Sequence, residues 1–470
     1  MSSTTLENKI MQGDCKEIMR QIEPNCIDCC VTDPPYGYSF MGKEWDKAVP
    51  SVAIWKECLR VLKPGAFAFV MSSPRADVLS RMIVNLSDAG FRTDFTPIYW
   101  AYASGFPKAM NVGKMVDKRL GGNGTITNPK TYPDIRANNY SNSQGKKRVC
   151  GGDYEPELEE AKALNGSYGG FQPKPAVEVI IVAMKPLSEK TFVDQALKNG
   201  KGITWLDDCR LPFQSDTDKE QAHYNALGPV ERFKTTKSIY DGGKQNGGFE
   251  DTFDEKGRFP ANLLVSDDCL NDGKIRTSCQ SKTIHNGYSS DKTTALLEGV
   301  STPENQYADE GSFSRYFSLD AWFQKTIKKL PVEVQRTFPF IIEPKASKTE
   351  RNTNLDKLPI KDAPIGDYEG RDLSNPKNVL RKGMQDRKAR NFHPTVKPLQ
   401  LMSYLITLGS RPNDLILDPF VGSGTTCLAA KMLGRRFLGI ELNKEYFALA
   451  EARVGNHRTL FEFSTPEACV

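Results

Sequence analysis

The sequence predicts an α/β fold built on a parallel sheet and split by a long insertion. Two observations predict it. Apolar runs alternate with helix-period segments at both ends of the chain, and the middle lacks that rhythm. Length points the same way: 470 residues exceed what one core usually organises, so two lobes or a core with a large insertion are expected.

Lys9 to Gln12 reads as a short strand and Cys15 to Gln21 as a helix. Ile27 to Thr32 is a compact apolar run halted by Asp33-Pro34-Pro35. It reads as a buried strand stopped by residues that lack the ladder amide. Ser51 to Leu62 sets Val52, Trp55, Leu59 and Leu62 on one helical face, and Lys63-Pro64-Gly65 ends it. Ala66 to Met71 is the next strand, and Asp77 to Leu86 a helix closed by Ala89-Gly90. Phe95 to Ala101 and Val177 to Met184 are further strands. The alternation resumes late, with a helix over Leu399 to Leu408, a strand over Asp414 to Leu417 and a helix over Thr425 to Leu433. A strand over Arg436 to Ile440 and a helix over Lys444 to Val454 follow.

Between these ends, Ser104 to Lys174 is rich in Gly, Asn and Lys and reads as loops around one helix at Val112 to Leu120. From about Ser188 to Arg390 polar residues dominate, and Gly242 to Gly248 and Thr277 to Thr294 read as loops. The expected division is 1–187 (with the loop-rich insertion at about 104–174), 188–390 as a large insertion, and 391–470.

Hydrophobic residues at 39% and charged residues at 26% are ordinary for a soluble globular protein. Apolar runs such as Val177 to Met184 are far too short to span a bilayer, and Met1 to Lys9 has no apolar stretch of a signal peptide. The expectation is a cytoplasmic protein with no membrane partner. Eleven cysteines are then expected as thiols. Cys26 and Cys29 form a lone C-x-x-C followed by Cys30. No second pair and none of the four histidines stands near it, so packing around a buried strand is favoured over zinc. The net charge of +5 is compatible with nucleic acid. Basic clusters say more: Lys108, Lys114, Lys118 and Arg119; Lys146, Lys147 and Arg148; and Arg381, Lys382, Arg387, Lys388 and Arg390. Any one of them is an ordinary solvated face, but three in mid-chain favour a polyanion.

Asp33-Pro34-Pro35-Tyr36 lies at the carboxyl end of a buried strand, where open α/β sheets place ligands. The prolines remove two amide donors, so the edge is all acceptor: the Asp33 carboxylate and the Pro34 carbonyl. That pair matches the two N–H donors of an exocyclic amine. Two well-placed acceptors favour a tetrahedral nitrogen whose lone pair can attack a methyl carbon, and Tyr36 can stack on a base.

Asp418-Pro419-Phe420-Val421-Gly422-Ser423-Gly424-Thr425-Thr426 also follows a strand and opens a helix. Its glycines allow close approach, and the helix start offers N–H groups to an anion such as the carboxylate of S-adenosylmethionine. Asp418 and nearby aromatic faces suit that molecule's cationic groups, and Glu441, ending the next strand, is placed for ribose hydroxyls. Cys427 replaces the third glycine of a dinucleotide fingerprint, and no lysine follows Gly424 as in a P-loop.

Together these residues resemble the amino-methyltransferases of DNA, in the permuted order called the β class: D-P-P-Y first, a recognition insertion next, F-x-G-x-G last. Gly13-Asp14-Cys15, Val61-Leu62-Lys63-Pro64-Gly65 and Phe392-His393-Pro394-Thr395-Val396-Lys397-Pro398 fit the flanking pieces. Islands from Ser39 to Asp46 and Ser104 to Lys108, with Arg258-Phe259-Pro260-Ala261-Asn262 and Pro344-Lys345-Ala346-Ser347, resemble methylases common in phages and prophages.

The resemblance implies a circularly permuted, Rossmann-like S-adenosylmethionine-dependent fold, with a mostly parallel seven-stranded sheet containing one reversed strand. It implies methylation of adenine N6 in double-stranded DNA by base flipping and direct in-line transfer, in a restriction-modification or phage setting. Asp33, Pro34, Pro35 and Tyr36 would be catalytic. Asp14, His393, Lys397, Asp418, Phe420, Gly422, Ser423, Gly424, Thr425 and Glu441 would hold the cofactor. Lys43, Lys108, Arg381, Lys382, Arg387, Lys388 and Arg390 are the expected DNA contacts. A second copy of the chain is a further candidate partner, and no residue points to a cognate nuclease. N4-cytosine methylation is the nearest alternative, since D-P-P-Y only leans to adenine. RNA adenine methylation and a silent nucleic-acid-binding scaffold follow.

Overall fold

In a computed structural model, the structure describes residues 6–38, 46–102, 110–128, 131–133, 147–149, 153–171, 176–213, 216, 218–220, 255–266, 270, 276–277, 310–311, 317–330, 355, 361–362, 388–389, 393 and 395–455. The chain forms two compact units, one of residues 1–103 with 177–470 and one of residues 104–176.

The larger unit begins with β1 (Lys9–Gln12), α1 (Cys15–Arg20), β2 (Cys29–Thr32), α2 (Val52–Val61), β3 (Phe67–Ser72), α3 (Ala76–Asp88) and β4 (Ile98–Ala101). The smaller unit holds α4 (Val112–Leu120), β5 (Thr125–Thr127), β6 (Thr131–Pro133), β7 (Lys147–Val149), β8 (Asp153–Glu155) and α5 (Glu159–Ala163). The larger unit resumes with β9 (Val177–Met184), α6 (Phe192–Asn199) and β10 (Leu263–Val265). Two-residue strands β11 (Arg276–Thr277) and β12 (Glu310–Gly311), α7 (Leu319–Ile327), β13 (Lys361–Asp362) and β14 (Lys388–Ala389) come next. The chain closes with α8 (Leu399–Gly409), β15 (Leu415–Asp418), α9 (Thr425–Met432), β16 (Arg436–Glu441) and α10 (Lys444–Gly455).

The sheet runs β1-β16-β15-β2-β3-β9-β4-β10. Every pairing in it is parallel except those of β9, which is antiparallel to β3 and β4. The one reversed strand is as expected. Among the described residues the sheet has eight strands rather than the expected seven, because β10 adds itself beside β4. Three residues in an aperiodic stretch carry no strand signal. β10 is held from outside itself, by Tyr99 N–H to Asn262 O at 2.8 Å and by Trp100 Nε1–H to Ser266 Oγ at 2.9 Å.

The sheet is covered on both faces, which is why its strands read as continuous apolar runs rather than alternating ones. Cys30, Ala68, Val70, Leu415 and Leu417 join Met19, Trp55, Cys58 and Met82 of α1, α2 and α3 in one cluster. Cys29, Val31, Phe67, Phe69 and Ile416 join α8 and α9 in the other. Cys29 and Cys30 thus pack on opposite faces, and burial pushes both thiols up, which makes them poor nucleophiles.

The segment 188–390 also contributes to the core. Trp322 and Phe323 of α7 are buried, Trp322 meets Tyr404 of α8 edge-on at 4.9 Å, and its Nε1–H reaches Asp208 O at 2.9 Å. In the smaller unit, the expected loops around one helix gain α5 and the pairs β5–β8 and β6–β7. Asp117 of α4 ties that unit together, accepting from the amides of Glu157 and Leu158 and from Tyr154 OH. The expected loop at 242–248 lies outside the described residues, as does 277–294 apart from Thr277. Among the described residues no helix is long and apolar enough to cross a membrane.

Candidate active site

β2 and β15 are neighbours, with Ile416 opposite Cys29 and Leu417 opposite Cys30. Both motifs therefore leave the same edge of the sheet, although 386 residues separate Thr32 from Asp418, whose side chains bond at 2.7 Å. β16 ends beside them at Glu441, and β1 ends beside β16, so Gly13 N–H reaches Glu441 O at 2.9 Å and Asp14 follows.

Four side chains meet at the end of β2. Tyr36 OH donates to Asp33 Oδ1 at 2.7 Å, and Lys397 Nζ lies 3.3 Å from the same oxygen. Lys397 also bonds Glu178 Oε2 at 2.7 Å and Tyr36 OH at 3.2 Å, and Tyr36 OH lies 3.3 Å from Glu178. Glu178 is a residue the sequence reading missed. It stands at the start of β9, and only the reversal of that strand brings its first residues to the edge where the parallel strands end. Lys397 stands in this group, beside Asp33.

Burial lifts the Asp33 carboxyl above its ordinary value; Lys397 pulls it down and Glu178 adds to the rise. Burial opposes the Lys397 charge, but Asp33 and Glu178 outweigh it and hold its pKa above that of a free lysine. Burial, with those two carboxylates, keeps Tyr36 a neutral phenol. The next three amides, of Tyr36, Gly37 and Tyr38, all point at the buried Asp46 carboxylate, at 2.8, 2.9 and 3.2 Å. The donor-free edge begun by two prolines is thereby extended.

The glycine loop lies beside this group. Gly422 (φ +51°) and Gly424 (φ +84°) use backbone that favours glycine. A Cβ on Gly422 would stand 2.9 Å from His393 Nε2, and one on Gly424 would press on Ala450 and Val454 of α10. His393 Nδ1 bonds Thr395 O at 2.6 Å; a carbonyl only accepts, so Nδ1 carries the hydrogen and Nε2 faces the loop. Glu441 accepts from Gly422 N–H at 2.9 Å and Asn443 N–H at 2.8 Å. Burial raises its pKa to about 7 and that of Asp418 to about 6. Asp14 caps α1, accepting from the Lys16 and Glu17 amides. The Phe420 ring packs edge-on to Trp55 at 6.2 Å. Ser423 and Thr425 are buried, and the hydroxyls of both accept from Arg453 of α10.

The strand ends thus bring Asp33 to Tyr36 and the cofactor candidates Asp14, His393, Asp418, Gly422, Gly424 and Glu441 to one edge of the sheet, while Lys397 stands with Asp33, the Phe420 ring packs on Trp55, and Ser423 and Thr425 bond Arg453. Lys43, Lys108, Arg381, Lys382, Arg387 and Arg390 lie outside the described residues, and of Lys388 only the backbone in β14 is described.

Comparison with known proteins adds relatives. The chain is 49% identical over 67 residues to the Type II methyltransferase M2.LlaDCHI of Lactococcus lactis subsp. cremoris, a stretch covering 14% of this chain and 25% of that protein. It is 53% identical over 62 residues to M2.DpnII of Streptococcus pneumoniae, covering 13% and 23%. With M.HinfI of Haemophilus influenzae it shares 44% over 71 residues, covering 15% and 20%. The matches thus span a quarter or less of these relatives. Among solved structures, the cytosine-N4-specific PvuII DNA methyltransferase overlays at a TM-score of 0.37 with 14% identity, over 97% of this chain and 89% of that one. The M1.HpyAVI complex with S-adenosylmethionine overlays at 0.31 with 14% identity, over 96% and 98%. Both overlays are too loose to bear on the site. The family described as DNA methylase (N6_N4_Mtase) matches over residues 27–452, a span that takes in both strand-end motifs and all that separates them, and the chain belongs to that family.

Proposed function

We propose that the chain transfers a methyl group from S-adenosylmethionine to the N6 amine of adenine in double-stranded DNA. The observation that carries the reading is the Asp33 carboxylate. Its hydrogen bond from Tyr36 and its contact with Lys397 both fall on Oδ1; among the described residues no hydrogen bond falls on Oδ2, which leaves it for an incoming amine.

S-adenosylmethionine is the cofactor of the family and supplies an electrophilic methyl group. The residues here fit it. The helix start at α9 suits a carboxylate, Glu441 suits ribose hydroxyls, and any side chain at Gly422 would collide with His393.

The base must leave the duplex, because its amine is otherwise paired and shielded. Asp33 Oδ2 and the Pro34 carbonyl then accept its two N–H donors and turn its lone pair toward the methyl carbon. Tyr36, tied down at its hydroxyl, offers its ring to the base. The methylated nitrogen carries an extra proton, and the raised basicity of the buried Asp33 carboxylate suits it to take that proton. Most of the acceleration in this scheme is alignment rather than covalent chemistry. Target recognition is assigned to residues 188–390, with basic side chains such as Arg381, Lys382, Arg387 and Arg390 on phosphates, and the compartment to the cytoplasm.

The test is mass spectrometry of nucleosides from DNA incubated with the protein and S-adenosylmethionine. N6-methyladenine is expected. N4-methylcytosine would keep the mechanism and change the base. Neither, on several DNAs with cofactor binding intact, would overturn the reading in favour of RNA or a silent scaffold.

A further inference from the structure

We propose that Arg453 is a positioning residue for the amino-acid carboxylate of the cofactor, acting through Ser423 and Thr425. The proposal rests on the reading of the glycine loop as the cofactor site. Arg453 lies near the end of α10 and its side chain is fully buried. Nη1 donates to Ser423 O at 3.1 Å, to Ser423 Oγ at 3.1 Å and to Thr425 Oγ1 at 2.8 Å. The same helix backs the loop at Gly424, where a Cβ would lie 3.1 Å from Val454 and 3.2 Å from Ala450.

This arrangement does two things. A hydroxyl that accepts from a guanidinium keeps its own hydrogen to donate. Ser423 Oγ and Thr425 Oγ1 are 3.4 Å apart, so one can donate to the other and the last hydrogen is left for a ligand. The guanidinium also brings a positive charge to the back of the loop. Asp418 and Glu441 flank the loop, and two carboxylates would repel a third. Lys397 is committed to Asp33 and Glu178 on the catalytic side. Arg453 supplies positive charge from behind the loop, where low polarizability extends its reach, and the start of α9 adds the same sign.

The experiment compares two ligands by calorimetry: S-adenosylhomocysteine, which carries the amino-acid end, and 5′-methylthioadenosine, which lacks it. Wild type is expected to prefer S-adenosylhomocysteine. Arg453→Met should weaken that ligand by about ten- to hundredfold, the scale of a charge-assisted interaction, and 5′-methylthioadenosine by less than about threefold. Arg453→Lys should recover part of the loss. An equal loss for both ligands would make Arg453 a plain brace of the fold and overturn the proposal. If Arg453→Met fails to fold, the double variant Ser423→Ala, Thr425→Val keeps the arginine and removes the hydroxyls. It should show the same selective loss, and an unchanged preference overturns the proposal. A wild-type protein that binds neither ligand would instead sink the reading of the loop.

Discussion

The sheet carries a lysine bridging two carboxylates at each of its ends, and the two clusters behave differently. At the amino-terminal ends of β2 and β15, Lys201 lies 2.9 Å from both Asp28 and Asp414. Asp28 also takes Lys63 at 2.6 Å, and its second oxygen accepts the Leu415 amide at 2.9 Å. Burial works to raise the Asp28 carboxyl, but Lys201, the amide and Lys63 outweigh it, and its pKa is lowered. At the opposite end, Lys397 bridges Asp33 and Glu178, the Asp33 contacts fall on one oxygen, and its pKa is raised. A saturated carboxylate is a brace. A half-satisfied one in a buried setting is a group kept for a ligand.

This contrast can be broken by substitution. The largest effect is expected from Asp33→Ala: methylation should fall by about a thousandfold or more, as for loss of a general base, with cofactor affinity unchanged. Near-normal turnover would remove Asp33 from the chemistry. Lys201→Met should instead cost about 3 kcal/mol of stability, the low end for breaking a buried pair because Lys63 still serves Asp28. Urea unfolding measures this, and the folded variant should keep its turnover rate; a stable variant with lost activity would reverse the assignment of the two clusters. The smallest effect is expected from Glu178→Gln. Its charge raises the Asp33 pKa, so neutralising it should lower that pKa and move the acid limb of the rate profile to lower pH. Turnover at neutral pH should drop about tenfold, the scale of one charge-assisted hydrogen bond. An acid limb that stays in place would show that Glu178 does not act on Asp33.

Each motif could be read where its residues are contiguous. Asp33-Pro34-Pro35-Tyr36 and Gly422-Ser423-Gly424 announce themselves because prolines and glycines restrict or free the backbone locally. β1, β9 and α4 fall at the expected residues, β4 starts three residues later than expected, and the other elements expected from the sequence shift by a residue or two at their ends. β10 and α7 were hidden, the first by brevity and the second by a helical stretch with polar surroundings. Glu178 was hidden by its setting, the edge of the apolar run that became β9, and Arg453 by being one of several basic residues near the chain end.

The sequence by itself determined the α/β class, the order of the motifs and the chemistry of their backbones, because strand runs, turns and caps answer to neighbours a few residues away. Only the tertiary structure decided which charges share the site. Lys397 reaches Glu178 across 219 residues and Tyr36 across 361, and Tyr36 approaches Glu178 across 142. Those pairings follow from the order of strands and the reversal of β9. Sheet order is settled by which buried faces and ladders match once the whole chain has folded.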